Sequence, residues 1–441
     1  MKRTTGILLC VVATLLALGT VIVFSVLSAQ ATANATARQA QALRDADTPA
    51  TAGAPSTSSG QAREAHPLAG MGSGFFLLLK HLLYVTLGVV ALLTLRRFDY
   101  HWFERNQKWI ALATAGLLLA VLVPHIGTAK NGARRWMNLG PLGFQPSELA
   151  KIGMLVVLAG VVARRRERMK ELIGGFLPAM AVVGVTAGLV LVEPDFGTAA
   201  LLGLVGTLVV MSAGAPLAPI AGAALAGAAG FAVLVFHSPT RMERVFAFLN
   251  PWQHLDGAGY QLAQSLVTLG NGGLFGRGLG GSYQKLFNLP EASTDFILAI
   301  IGEELGLVGT LAVLFLFLLL LRQGLRIASH ARDDFGALLA YGITLLIALQ
   351  ALIHTAVVTA SMPTKGIVLP FISSGGSSLV ISLAAVGMLL NIASQAREEA
   401  VAPVGGALAE VKETGVVVGA RHALPLPPGT AQPALPGTQG G

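Results

Sequence analysis

Cysteine is almost absent from this chain. Its 441 residues include one cysteine, Cys10, which lies inside an apolar run. A single thiol cannot form a disulfide within the chain, so a small disulfide-stapled fold is excluded. Cys10 is predicted to be a small hydrophobic side chain that faces lipid or a neighbouring helix.

Charge is also scarce, at 12% of residues against 54% that are hydrophobic. The length alone would suggest two or three soluble domains. Many apolar stretches, however, reach the roughly 18 residues that cross about 30 Å of hydrocarbon. We therefore predict an all-α polytopic membrane protein. The net charge of +8 is explained by short basic loops that orient a membrane protein, so we expect no nucleic-acid partner.

The apolar stretches predict about ten transmembrane helices. They lie at 5–28, 75–95, 109–124, 147–163, 172–192, 197–213, 217–236, 296–321, 336–360 and 377–394. The short loops 96–108 and 164–170 are densely basic, which predicts that they and both termini are cytoplasmic. The remaining loops are then outer, and the largest of them, 237–295, precedes the eighth helix.

Composition divides the chain into four parts. Residues 1–28 form the first transmembrane helix, and 75–397 form a nine-helix core. Residues 29–74 are rich in Ala, Ser, Thr and Gln, and they are predicted to be a disordered outer linker. Residues 398–441 are predicted to be a disordered cytoplasmic tail.

The outer loop at 125–146 carries four unusual side chains. Lys130, Arg134 and Arg135 precede Trp136 in a loop on the side where orienting charge is not expected. The guanidinium group of arginine can donate two parallel hydrogen bonds to phosphate oxygens, and tryptophan is common at the membrane interface. The combination favours an anionic, partly apolar ligand over an ordinary interfacial loop.

Further charges lie at the ends of the predicted spans. Glu148 and Lys151 are three residues apart on one helix face, which fits either an internal ion pair or a polar cavity. Glu193 and Asp195 occupy a short turn that we expect to be solvated. Lys365 is the one cation of the Pro/Gly-rich stretch 362–378.

A glycine-rich run, NGGLFGRGLGGS, lies at 271–282. Its Gly-x-Gly-x-x-Gly spacing lacks the strand–helix context of a dinucleotide site. Such a backbone could approach a diphosphate closely, or it could only make turns.

Five motifs together resemble the SEDS family (shape, elongation, division and sporulation). They are NGARRWMNLGPLGFQPSELAK, EPDFGTA, GNGGLFGRGLG, LPEASTDFILAIIGEELG and MPTKGIVLPFISSGGSSL, in order between 75 and 395. Lys285 and the PTKG motif make the chain more similar to the FtsW branch than to RodA. The long linker, His354, Ala356 and Ser374 depart from the family pattern.

The resemblance implies a SEDS-type bundle and peptidoglycan glycosyltransferase activity. Such enzymes polymerise lipid II into a glycan chain at the outer face of the cytoplasmic membrane. They act with a class B penicillin-binding protein and, in division, with other divisome proteins. The aspartate that the family needs for catalysis corresponds to Asp295, and the tryptophan of its GARRW motif corresponds to Trp136.

The implied reaction needs a base and positive charge for a leaving diphosphate. Asp295 suits the base, although from the sequence alone a helix-capping role fits equally well. Arg134, Arg135, Lys130 and Lys365 are the candidate cations, and Glu291 lies beside Asp295 where sugars would arrive. No cofactor is required by the sequence, but a divalent cation, Mg²⁺ or Mn²⁺, could share the diphosphate. No metal ligands are identified.

Glu303 and Glu304 lie roughly 12–14 Å deeper than Asp295 along the same predicted helix. They are predicted to form structural pairs, with Lys151 as a candidate partner. Two rival functions remain open: a flippase for lipid-linked precursors, and an inert scaffold. A flippase would need a charged path to the inner leaflet, and a scaffold would not need Asp295.

Overall fold

A computed structural model describes residues 1–47, 68–130, 133–140, 142–255, 257, 259–287 and 289–396. Fourteen α-helices occupy most of this part of the chain. They are α1 (Lys2–Asp47), α2 (Leu68–Arg97), α3 (His101–Arg105), α4 (Gln107–Ala120), α5 (Pro146–Arg164), α6 (Leu177–Val192), α7 (Phe196–Ser212), α8 (Leu217–Phe236), α9 (Pro239–Leu249), α10 (Gly259–Gly272), α11 (Gln284–Phe287), α12 (Ile297–Ser329), α13 (Asp334–Val358) and α14 (Gly376–Gln395).

Within the described residues, eight of these helices are long and apolar enough to cross a membrane. Two shorter apolar helices, α4 and α7, complete the set. Each of the ten apolar segments predicted from the sequence is therefore helical, and the chain is a multi-pass helical membrane protein. Helices fit this environment because they satisfy their own backbone hydrogen bonds.

The first helix is longer than predicted. It continues to Asp47, so the prediction of a disordered linker is wrong for residues 29–47. The segment is rich in alanine, the strongest helix former, and a lack of large apolar side chains does not prevent helix formation. The next helix begins at Leu68 rather than near 75. The rest of the predicted linker, 48–67, and the predicted tail, 398–441, lie outside the described residues.

Helices α5, α13 and α14 form the buried centre of the bundle. Small residues allow close approach: a Cβ at Gly387 of α14 would stand 2.6 Å from the carbonyl oxygen of Leu92 in α2. In the same way, Gly324 of α12 lies against the Thr344 side chain of α13. Small residues are the usual contacts between membrane helices, because lipid offers no hydrophobic drive for association.

A small antiparallel sheet interrupts the helical architecture. Strands β1 (Gly127–Lys130), β2 (Ala133–Leu139) and β3 (Leu142–Phe144) pair in that order between α4 and α5. The loop predicted at 125–146 is thus a sheet. We call the end of the bundle that carries it the sheet end, and the opposite end, where residues 164–170 follow α5, the basic end.

Helix α12 is broken at Gly306, whose φ is 70°. The segment 273–278 lies beside the break and exchanges backbone hydrogen bonds with it. The amides of Arg277 and Gly278 donate to the carbonyls of Glu303 and Glu304, both at 3.0 Å. In return, the amides of 307 and 308 donate to the carbonyls of 273 and 274, at 3.0 and 3.2 Å. The break therefore leaves these backbone groups paired.

Candidate active site at the sheet end

Asp295 lies in the turn that leads into α12. The amides of Thr294 and Asp295 both donate to the carbonyl of Glu291, at 3.1 and 3.0 Å. Glu291 has a left-handed backbone with φ of 53°, which costs a non-glycine residue of order 1 kcal/mol or more. The N-cap position of α12 is Phe296, so Asp295 is not the capping residue that the sequence left open.

A second loop packs against this turn. Ser373 Oγ donates to the carbonyl of Thr294 at 2.7 Å, and Ser374 donates through both its amide and its Oγ to the carbonyl of Ser293 at 3.0 Å. Ser374 is one of the departures from the family pattern, and here it ties the two loops together. The Asp295 turn is therefore held in place by its neighbour.

Gly366 of the second loop lies directly against the Asp295 carboxylate. A Cβ at Gly366 would stand 3.0 Å from Asp295 Oδ2, closer than carbon and oxygen atoms normally approach. The absence of a side chain at 366 therefore lets the backbone border the carboxylate.

Side chains of α13 hold the second loop from inside the bundle. Gln350 Nε2 donates to the carbonyl of Val368 at 2.9 Å, and His354 Nδ1 lies 2.7 Å from the carbonyl of Ile367. His354, a second departure from the family pattern, is buried and thus contributes to loop position. The role of Ala356 stays without a structural explanation.

The Glu148–Lys151 pair extends this support. Lys151 Nζ lies 2.7 Å from Glu148 Oε2, and it donates to Gln350 Oε1 at 3.1 Å. Both charged side chains are buried. The ion-pair alternative is therefore what the structure shows. Lys151 is not the partner of Glu303 or Glu304.

A group of charged residues continues from Gly366 toward the sheet. Lys365 Nζ donates to the carbonyl of Phe196 at 3.4 Å. Burial lowers the pKa of Lys365, while the nearby negative charge of Asp195 opposes that shift. Asp195 caps α7 by accepting from the amide of Thr198 at 3.2 Å, and it also accepts from Gln145 Nε2 at 3.2 Å.

Glu193 and Asp195 are buried, in contrast to the expectation from the sequence. The side chain of Glu193 has 0% exposure, and Asp195 has 7%, so the solvated turn predicted here is wrong. Neither carboxyl oxygen of Glu193 has a hydrogen-bond partner among the described residues. Burial raises the pKa of Glu193 well above its usual range, the charge of Asp195 adds to the rise, and Arg135 opposes it. Tertiary packing, which the local sequence does not reveal, causes this burial.

Two of the sheet's predicted cations differ in how deeply their side chains are buried. Arg135 is half-buried and acts electrostatically on Glu193, whereas Arg134 is exposed. The Trp136 ring lies against Gly143 of β3, and a Cβ added to Gly143 would stand 3.5 Å from the ring. The side chain of Lys130 lies outside the described residues. Of the predicted cations, the structure therefore brings Arg135 and Lys365 toward the carboxylates.

Glu304 is buried in a separate network below the site. Its Oε1 accepts from Lys285 Nζ at 2.8 Å and from Ser25 Oγ of α1 at 3.0 Å. Lys285 also donates to the carbonyl of Gly280 at 2.8 Å. Glu303 accepts a hydrogen bond from Ser282. Both glutamates therefore have structural partners, supplied by α1 and the segment before α12.

The glycine-rich run serves this same network. Because the amides of Arg277 and Gly278 donate to α12, neither can bind a phosphate oxygen. Gly276 has φ of 77°, and a Cβ there would stand 2.3 Å from the carbonyl oxygen of Glu304. The glycines allow this close approach, which favours the structural alternative over a diphosphate cradle at these two amides.

In the described part of the chain, no group of three or more His, Cys, Asp or Glu residues is arranged to hold a metal ion. Asp295 offers one carboxylate, and Mg²⁺ commonly combines one or two carboxylates with water and substrate phosphates.

The fold of this chain is similar to that of solved membrane proteins. The solved chain of a peptidoglycan synthase complex superposes with a TM-score of 0.63 at 28% identity, covering 74% of this chain and 91% of that one. RodA, the rod shape determining protein of Thermus thermophilus, superposes with a TM-score of 0.59 at 25% identity, covering 89% and 97%. The fold is therefore that of a SEDS membrane protein.

Sequence comparison gives the family itself. The profile described as "Cell cycle protein", covering FtsW, RodA and SpoVE, matches residues 61–398. A protein of Geobacter sp. (strain M18) named "Probable peptidoglycan glycosyltransferase FtsW" is 44% identical over 324 residues, 74% of this chain and 88% of its own. Stage V sporulation protein E of Bacillus subtilis (strain 168) is 42% identical over 325 residues, 73% and 88%. The chain belongs to the FtsW/RodA/SpoVE family.

Proposed function

We propose that this chain is a peptidoglycan glycosyltransferase that polymerises lipid II into glycan strands. The observation that carries the proposal is the clamped turn that holds Asp295 against Gly366 of the second loop. The names of its relatives support the same activity. A cell-division role fits the FtsW relatives, and Lys285 is the family feature that we relate to that branch.

Asp295 is proposed as the general base. The GlcNAc 4-hydroxyl of one lipid II attacks the anomeric carbon of MurNAc in the other, and Asp295 accepts the hydroxyl proton. The bond to undecaprenyl diphosphate breaks, and the α-linked donor becomes a β-linked product by a single inversion. Because both loops around Asp295 are tied by hydrogen bonds, the base needs little reorganisation in the transition state.

Positive charge for the leaving diphosphate comes from the group next to Gly366. Lys365 is adjacent in the chain, and Arg135 reaches the same group of charges from the sheet. Arg134 is exposed on the same sheet and would act on substrate at its surface. Lys130 remains a further candidate cation. Trp136 and Glu291 would contact the sugars or the lipid, and Mg²⁺ or Mn²⁺ could share the diphosphate.

The proposed membrane orientation is supported by the charge of the basic end. Arg96, Arg97 and the run 164–170 lie there, which favours a cytoplasmic position for this end and for both termini. The sheet end and Asp295 would then face outward, in the inner membrane of the cell envelope. A class B penicillin-binding protein is the proposed partner, together with other divisome proteins, and the resemblance to a synthase complex supports it.

The test is polymerisation of labelled lipid II by the full chain with its penicillin-binding partner. Asp295→Asn should abolish glycan chains, whereas the control Glu171→Gln, which alters an exposed carboxylate at the basic end, should leave them unchanged. Unaltered polymer from Asp295→Asn would favour the scaffold and contradict the assignment. Translocation of lipid II in liposomes without any polymer would identify the flippase instead.

A further inference from the structure

A groove of about 1140 Å³ opens at the basic end of the bundle, where the start of α4 faces the end of α5. It has no part in the proposed reaction, because Asp295 lies at the sheet end. One wall of the groove is apolar and includes Ala111, Val157 and Val161. These residues belong to the apolar helices, so the wall lies where lipid acyl chains end.

The mouth of the groove is strongly basic. It is lined by five cations and two carboxylates: Lys108, Arg164, Arg165, Arg166, Arg168, Glu167 and Asp334. The five cations are exposed. Such a mouth has a positive potential that attracts anions from the membrane surface.

Most of this positive charge is not compensated within the protein. Arg166 pairs with Asp334 of α13, and Arg164 Nε donates to the carbonyl of Gly160 at 3.1 Å. In the described part of the chain, no carboxylate forms a salt bridge with Lys108, Arg165 or Arg168. Three cations at the mouth therefore remain for a ligand.

We propose that this groove binds an anionic glycerophospholipid. Lys108, Arg165 and Arg168 hold the phosphate of the headgroup, and one acyl chain follows the apolar wall at Val157 and Val161. Guanidinium forks match phosphate oxygens, and the ordinary function of orienting charge does not require a groove with an apolar wall. The charge at the mouth and the apolar wall together select a lipid over a soluble anion.

Native mass spectrometry of the full chain in detergent micelles tests this directly, with phosphatidylglycerol or phosphatidylcholine added at equal mole fraction. Wild type should retain phosphatidylglycerol at least tenfold more strongly. If each cation contributes about fivefold, Arg165→Gln with Arg168→Gln should weaken retention roughly 25-fold. The matched control, Arg96→Gln with Arg97→Gln, removes two exposed arginines from the same end, and it should change retention less than threefold.

The apolar wall is tested in two ways. Val161→Trp fills the groove and leaves all its cations in place, so it should weaken phosphatidylglycerol retention. Independently of folding, excess glycerol 3-phosphate should fail to displace the lipid from wild type. Equal retention of phosphatidylcholine, an equal loss in the Arg96/Arg97 control, or displacement by glycerol 3-phosphate would each overturn the proposal.

Discussion

The buried pair Lys285–Glu304 allows a quantitative prediction about stability. The side chains are 5% and 0% exposed, and Nζ lies 2.8 Å from Oε1. At an effective dielectric constant near 20, the Coulomb energy at this distance is about 6 kcal/mol. Desolvation offsets much of it, and loss of one partner from a buried pair typically costs about 3–5 kcal/mol.

Lys285→Met should therefore destabilise the protein by about 3–5 kcal/mol, because it leaves the Glu304 carboxylate buried with Ser25 as its remaining partner. Glu304→Gln should cost less, since the ammonium keeps Ser25 and the carbonyl of Gly280. The double variant removes both charges, so its loss should be smaller than the sum of the two single losses by roughly 2–3 kcal/mol.

Unfolding by SDS in mixed micelles, followed by tryptophan fluorescence, measures these differences. The control is Arg166→Gln, because the Arg166–Asp334 pair has exposed side chains and should contribute about 1 kcal/mol or less. Additive losses in the double variant would refute the reasoning, as would a Lys285→Met cost no larger than that of the control.

Three further predictions concern substitutions of single residues. Gly366→Ala should lower polymerisation about tenfold without loss of folding, because the methyl group displaces the Asp295 carboxylate by a few tenths of an ångström; an unchanged rate would contradict this contact. Because burial raises the pKa of Glu193, folded protein keeps a proton that the unfolded chain releases above about pH 4.3. Stability should fall as pH rises from there to the raised pKa of about 8. Glu193→Gln removes this titration, so its thermal midpoint should vary less with pH between about pH 5 and pH 8; parallel profiles would exclude the effect. Gly306→Ala should prevent a normal melting transition, because its φ is 70° and a Cβ would stand 2.4 Å from a backbone nitrogen. The control Gly116→Ala has open space in α4, so its melting temperature should equal that of wild type or be slightly higher.

The ten apolar segments and the acidic turn were predictable because hydropathy and local motifs encode them. The sheet also had a local signal in Asn131-Gly132, because this pair commonly joins two-residue hairpins. The basic side chains, Trp136 and the Gly/Pro-rich turn indicated a binding loop instead. The predicted end of α1 at residue 28 rests on the loss of large apolar side chains, but the alanine-rich segment that follows has a high helix propensity.

Local spacing indicated the buried Glu148–Lys151 pair, but the partners of the other buried charges were not predictable from local sequence. Lys151 was a candidate partner for Glu303 or Glu304, but it pairs with Glu148 and donates to Gln350 of a distant helix. The true partner of Glu304 is Lys285, brought there by the segment that folds along the broken helix. Helical spacing places residues on one element only, so contacts that depend on a returning segment require the tertiary structure.

The break in α12 has a consequence for how this region opens. Two backbone amides of the segment 273–278 donate to carbonyls of α12 before the break, and two amides of α12 after the break donate to carbonyls of that segment. Separation of the segment from α12 would therefore leave backbone donors and acceptors of both without partners. In hydrogen exchange, the amides of Arg277, Gly278, Leu307 and Val308 should therefore lose protection together, as one cooperative unit. Although about 30 residues separate them along the chain, these four amides belong to one hydrogen-bonded unit next to the turn that carries Asp295.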